Sequence, residues 1–179
     1  MTITTLPRTL ASAFILGAIS SAVLSPALAD TGGATADKIA VQTEEAKNAA
    51  IVRAAFDSWR SGGNVFTALL SDDIVWTIAG SGPVAGTYRG MKDFIDRASA
   101  PLVTRLASPV VPDVRAIWAD GDRVIVRFDG TATTTSGAPY RNQFVWIFRM
   151  RNGKAVEAEA FLDLAAYQQV VDNNAPRAQ

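Results

Sequence analysis

This chain of 179 residues carries 17 basic and 17 acidic side chains, no cysteine and no histidine. That composition excludes disulfide support, histidine-based nucleophilic triads and histidine- or cysteine-ligated metal centres, so acid–base chemistry is left to carboxylates, Tyr, Lys, Arg or bound water. The balanced charge gives no reason to expect nucleic acid or an anionic membrane as partner, and nothing calls for a cofactor or a metal.

Residues 1–29 read as a signal peptide: Arg8 in a short basic region, an apolar run from Leu10 to Leu24, and a small-x-small site at Ala27-Leu28-Ala29. The run is shorter than the roughly 20 residues a spanning helix needs, so no membrane association is expected after cleavage. The mature chain then starts at Asp30 and is exported, to a periplasm or beyond the cell. Residues 30–42 are small and polar and read as a flexible leader.

The domain proper spans 43–173, followed by a C-terminal tail, 174–179. Thr43 is positioned to cap a first helix, with Glu44 and Glu45 in its first turn. Val52, Ala55, Phe56 and Trp59 form its apolar stripe and Gly62 closes it. Asn64 caps a short helix to Leu70. DIVWTIAG (73–80) reads as a strand and SGPVAGTYRG (81–90) as a loop; GSGPVA fits a dinucleotide fingerprint formally, but Pro83 interrupts it and no parallel βαβ setting surrounds it. MKDFIDRASAPLVTRL (91–106) is helical, bent or ended by Pro101. Strands follow at 109–119, 122–134, 139–150 and 154–163, then the terminal helix LAAYQQVV. Helices first and an antiparallel meander later define an α+β domain, with helices packed on one face of a bent sheet.

The turn Arg151-Asn152-Gly153-Lys154 sets the register of the last two strands. A two-residue Asn152-Gly153 loop would put Arg151 opposite Lys154, Trp146 beside Glu159 and Phe148 beside Glu157. A three-residue loop, with Met150 opposite Lys154, instead places Asn142, Phe144, Trp146 and Phe148 on one face with Val156, Ala158, Ala160 and Leu162. The second register separates apolar from charged residues and is the one expected. That inner face is either a filled core or the wall of a cavity.

Arg127 and Asp129, in VIVRFDGTAT (124–133), share one strand face opposite Val124, Val126 and Phe128. Alternation by itself turns the ion pair to water. Asp163, at the end of the last strand, reads as an N-cap or a partner for Arg141. Asp72 and Asp73 read as turn residues.

The helix with Phe56 and Trp59, LLSDDIVWTIAGSGPVAGTYRG ahead of a helix, and FRMRNGKAVEAEAFLDLAAY near the end resemble the nuclear-transport-factor-2-like superfamily, in its SnoaL-like and ketosteroid-isomerase-like branch. The resemblance spans about 45–172. It implies a cone: a strongly curved, mainly antiparallel sheet wrapped around N-terminal helices, with an internal hydrophobic pocket holding a small hydrophobic molecule, in a protein that forms homodimers through the outer sheet face. The Arg-x-Asp pair also looks like the pocket-facing pair of limonene epoxide hydrolases, although their second aspartate falls at Ala160 and their pocket Tyr and Asn near Trp76 and Ile78. Carried over, it implies that Arg127 and Asp129 face inward. Asp129 would then be the base for proton transfer of isomerase, hydratase or cyclase type, and Trp76, Ile78, Asn142, Phe144, Trp146 and Phe148 would bind substrate. The outward set becomes Val124, Val126, Phe128, Val145 and Ile147, an apolar patch suited to a dimer. The same cone without chemistry is the alternative: a ligand-binding or protein-interaction module.

Overall fold

The computed structural model describes residues 31–178; the proposed signal peptide lies outside them. Helix α1 (Thr31–Arg60) lies ahead of α2 (Val65–Leu69), β1 (Leu70–Ile78) and β2 (Gly86–Arg89). A helical run follows: α3 (Met91–Phe94), a π-helical turn (Ile95–Ser99) and α4 (Ala100–Val103). Strands β3 (Val111–Asp120), β4 (Arg123–Thr133), β5 (Pro139–Arg151) and β6 (Lys154–Leu162) lead to α5 (Leu164–Asn173). The wide turn sits just before Pro101, whose ring and missing N–H disturb the regular ladder.

The six strands form one sheet in the order β2-β1-β6-β5-β4-β3, antiparallel except where β1 runs parallel to β6. The core lies on the inner face, where α1 sets Val52, Ala55 and Phe56 against the buried side chains of β1, β4, β5 and β6. Among the described residues, no helix is long and apolar enough to cross a membrane.

The leader expected at 30–42 is instead the start of α1, which runs back to Thr31. Thr43 does not cap: its hydroxyl donates back to the Ile39 carbonyl (2.8 Å), and the Glu45 carboxylate accepts from the Gly121 amide (2.7 Å). Ala, Lys, Gln and Glu between Ala36 and Ala50 carry the helical propensity that continues the helix. Asn64 caps α2 as expected, its side chain accepting from the Phe66 and Thr67 amides. Part of the expected loop 81–90 is the edge strand β2. Its Tyr88 points inward at 4 % exposure, and its Thr87 hydroxyl lies 3.0 Å from that of Thr77. The GSGPVA stretch is therefore the connection within a β1–β2 hairpin. The tail is held: Arg177 donates its amide to the Thr104 carbonyl (2.8 Å), and Arg105 donates from Nε to the Asn174 carbonyl (3.0 Å).

The β5–β6 junction combines the two registers read from sequence. Asn152 and Gly153 form the two-residue loop with positive φ (53° and 77°), and Arg151 pairs with Lys154. Met150 then pairs with Ala155 and Arg149 with Glu157, so Val156 is an extra, bulged residue. The bulge flips the parity, so Phe148 faces Ala158, Trp146 faces Ala160 and Phe144 faces Leu162. Apolar and charged faces separate as expected, by a tight turn plus a bulge rather than by a longer loop.

Candidate functional site: the aromatic interior

The rings of the interior arrive from six elements. Trp76 comes from β1, Phe128 from β4, Phe144, Trp146 and Phe148 from β5, Phe56 and Trp59 from α1, Phe66 from α2 and Phe94 from α3. The rings touch throughout. Trp76 stacks on Phe94 at 4.2 Å between centroids and meets Trp146 edge to face at 5.0 Å. Phe128 stacks on Phe144 at 4.7 Å and meets Trp146 edge to face at 4.8 Å. Offset and edge-to-face pairs of this kind add stabilisation beyond burial. Small residues on β6, Ala158 and Ala160, leave room for these rings across the strand pair.

Trp76, Ile78, Phe144, Trp146 and Phe148 all lie on this inner face and are buried, as the strand pattern predicts. Trp76 has an additional property: its indole Nε1 is buried and has no hydrogen-bond partner among the described residues. An unpaired N–H in an apolar interior costs free energy, because water solvated it in the unfolded chain.

Asn142 is buried too, at 5 % exposure, but its hydrogen-bonding capacity is consumed. Its Oδ1 accepts from the amides of Gln143 (2.7 Å) and Asp163 (2.9 Å), while Nδ2 donates to the Tyr140 hydroxyl (3.0 Å) and the Asp163 carbonyl (2.9 Å). With two donors and two acceptor positions occupied, it is a tie between β5 and the start of α5 rather than a group free to orient a substrate. Asp163 is the N-cap of α5, its Oδ1 accepting from the Ala165 and Ala166 amides. Tyr140 was missed from sequence, although its period-2 relation to Asn142 and Phe144 puts it on the same face. It is 2 % exposed, and burial pushes its phenol up to about 12 against the smaller opposing effect of the Asn142 hydrogen bond.

Arg127 and Asp129 are not in this site. Val124, Val126 and Phe128, expected outside, are all 0 % exposed within the core, and the intervening residues of β4 face the other way. Alternation alone assigned this strand correctly; the resemblance of Arg-x-Asp to a hydrolase pair misassigned it. Buried Val124, Val126 and Phe128 bring far more apolar surface to the core than the ion pair could, so they set the strand's orientation.

On the outer face, Asp129 accepts from Arg127 (2.6 Å) and from Nε of Arg115 (2.8 Å), where a bulge between Val114 and Ala116 adds Arg115 to β3. The Arg127 hydrogen bond, with that of Arg115 next, holds the Asp129 carboxyl below its ordinary range. Such a carboxylate is a weakened base, so the catalytic roles expected of Asp129 and Arg127 in an interior pocket have no basis in this geometry. The expected outer apolar patch is likewise recomposed. Val145 and Ile147 do face outward, paired with Arg127 and Ile125, and beside them stand Phe161 (41 % exposed) and Trp118 (55 % exposed).

A curved six-stranded sheet closed over N-terminal helices by an aromatic interior defines a cone of the nuclear-transport-factor-2-like class. The SnoaL-like domain model matches residues 52–158, and the chain belongs to that family. Among solved structures it is similar to Bal32a, from a soil-derived mobile gene cassette, at 21 % identity and a TM-score of 0.59, covering 71 % of this chain and 98 % of that one. It is also similar to an NTF2-like protein of Burkholderia thailandensis E264 (22 % identity, TM-score 0.57, 69 % and 95 % covered). TerC, co-crystallized with polyporic acid, is a third (24 % identity, TM-score 0.57, 70 % and 98 % covered). These likenesses establish the fold. No curated protein matches the chain.

Proposed function

We propose that this SnoaL-like protein is exported and binds a small hydrophobic molecule among the aromatic rings inside its cone, as a carrier or receptor rather than as an acid–base catalyst. The observation that carries this reading is the buried, unpaired indole N–H of Trp76 in an otherwise apolar, ring-lined interior. A ligand that slides between the rings and offers one acceptor atom, such as a carbonyl oxygen, relieves that unpaired donor. TerC, of the same fold, has been co-crystallized with polyporic acid, which supports a small-molecule ligand for this fold. No carboxylate is among the buried polar residues described, Asn48, Thr134 and Asn142, so binding is favoured over proton transfer.

The working form is a homodimer joined through the outer sheet face, where Trp118, Ile125, Val145, Ile147 and Phe161 form an apolar band bordered by the Arg127–Asp129 and Arg149–Glu157 pairs.

Native mass spectrometry of the protein from the exported fraction of its own host tests both statements. The expected species is a dimer carrying a small molecule. Trp76→Phe keeps a ring in the core but removes the N–H, so the stability change stays within about 1 kcal/mol as the lost indole contacts and the lost unpaired donor offset each other. That variant should come out empty. Equal ligand retention in Trp76→Phe, or no ligand on the parent protein, overturns the binding reading; a monomer overturns the dimer.

A further inference from the structure

We propose that the connection between β1 and β2, residues 79–85, is a strap that opens to admit a ligand to the cone interior, with the Tyr88 hydroxyl as its latch. The gate presupposes that the interior takes a ligand, and it adds the route by which one enters. Rings in contact fill that interior, so a ligand enters only where part of the wall gives way.

The strap lies over the inner face. Tyr88 points inward from β2 and is buried, and its hydroxyl donates to the Val84 carbonyl at 2.7 Å. A phenol that leaves the sheet inward and meets Val84 shows that the connection curls off the sheet edge and across the interior. On its other side Gly80 lies against Leu164, the first residue of α5, whose Cδ1 would be 2.9 Å from an added Cβ. The unpaired donor lies next to the latch. Trp76 pairs directly with Tyr88 across the β1–β2 ladder, and both side chains face inward.

Little holds the strap closed. From 79 to 87 the one buried side chain is that of Val84, and residues 80–83 are exposed. Among the described residues, its backbone amides make two bonds: Ala79 to the Ala160 carbonyl at its root (3.0 Å), and Ala85 to the Gly82 carbonyl within the strap itself (3.2 Å). Gly80 and Gly82 sit at φ of 112° and 122°, where a backbone without Cβ pivots freely. Opening lifts Val84 out and breaks the Tyr88 bond while β1 stays paired with β6. Segments with so few buried contacts open locally, below the free energy of global unfolding.

The chain has no cysteine, so one introduced thiol reports opening without background. Val84→Cys is labelled with N-ethylmaleimide over a series of urea concentrations, beside Val126→Cys in the core of β4. The strap thiol should label at least about 100-fold faster, nearly independently of urea, and the β4 thiol only through global unfolding, with a steep urea dependence. Adding Tyr88→Phe, which keeps the ring, should speed strap labelling by about two- to tenfold. Gly82→Ala meets nothing within 4 Å but strains the closed backbone, and should act in the same direction. Equal rates and equal urea dependence for the two thiols overturn the strap.

Stopped-flow binding of the naphthyl ketone prodan, followed by tryptophan quenching, reads the gate. Tyr88→Phe should raise the association and dissociation rates by the same factor and leave Kd within about twofold, because a latch broken only during passage leaves both end states alike. A faster dissociation alone makes Tyr88 a ligand contact and overturns the gate. Saturable binding whose rates neither variant moves overturns the gate and leaves the cone reading standing. Absence of saturable binding to the parent protein, or binding that Trp76→Phe leaves unchanged, overturns the cone reading and the gate with it.

Discussion

Phe128 and Asp129 are neighbours on β4 and make opposite predictions, so together they test which face of that strand is inside. Phe128 is 0 % exposed, and its ring contacts Phe144 (4.7 Å), Trp146 (4.8 Å), Phe56 (5.1 Å) and Trp59 (5.7 Å). Replacing it by alanine removes the transfer free energy of the ring and leaves a cavity walled by rigid rings from two elements, α1 and β5, a loss of about 3–5 kcal/mol. Asp129→Asn, in contrast, keeps the shape on an exposed sheet face, where the guanidinium groups of Arg127 and Arg115 remain hydrated. The assay is urea unfolding followed by far-UV circular dichroism and by tryptophan fluorescence. With a slope of about 2 kcal/mol per molar urea, Phe128→Ala should lower the midpoint by about 2 M. Asp129→Asn should move it by a small fraction of that. A midpoint shift for Asp129→Asn equal to or larger than that of Phe128→Ala would refute the orientation of β4 and return the ion pair to the interior.

Three further outcomes follow from the same geometry. Tyr140, pushed up to about 12 by burial, holds its proton more tightly folded than unfolded, so its contribution to stability is complete below about pH 10 and is lost between roughly pH 10 and 12. A spectrophotometric phenol titration should show one tyrosine ionising near the top of that window; ionisation of all three at their ordinary pH would contradict it. Asn142→Ala strands the Asp163 backbone and the Gln143 amide, with a cost of about 2–4 kcal/mol, and hydrogen exchange should speed up first at Ala165, Ala166 and Tyr167; unchanged exchange there would break the argument. Ala160→Asp places a carboxylate at a position 1 % exposed opposite Trp146, so its folded pKa rises above the unfolded value. Its stability relative to the parent is therefore best preserved at low pH and falls as pH rises through the unfolded carboxylate range; a pH-independent deficit between pH 3 and 7 would refute burial of the new group.

Much of the cone was legible in the residues because it rests on local rules. Asn64 and Asp163 cap their helices because a short polar side chain there meets free amides two and three residues on. Phe144, Trp146 and Phe148 share a face because side chains alternate along a strand, and a bulge that shifts pairing by a residue preserved that face while changing its partners. The sequence by itself determined these relative faces, and with them the list of aromatic residues available to an interior.

Tertiary structure decided what depends on partners distant in the chain. Alternation says that Arg127 and Asp129 oppose Phe128, but the side chosen by the helices follows from where Phe56 and Trp146 stand, and that choice removed Asp129 from any interior chemistry. Asn142 reads as a free polar group until Asp163, 21 residues on, satisfies it. The edge strand β2 exists because β1 offers it a ladder, and Glu45 on α1 finds the Gly121 amide 76 residues on, which ties the helix to the β3–β4 turn. The Trp76 indole is unpaired for the same reason: strand parity puts it inside, and only the set of rings that converge on it leaves its N–H without an acceptor.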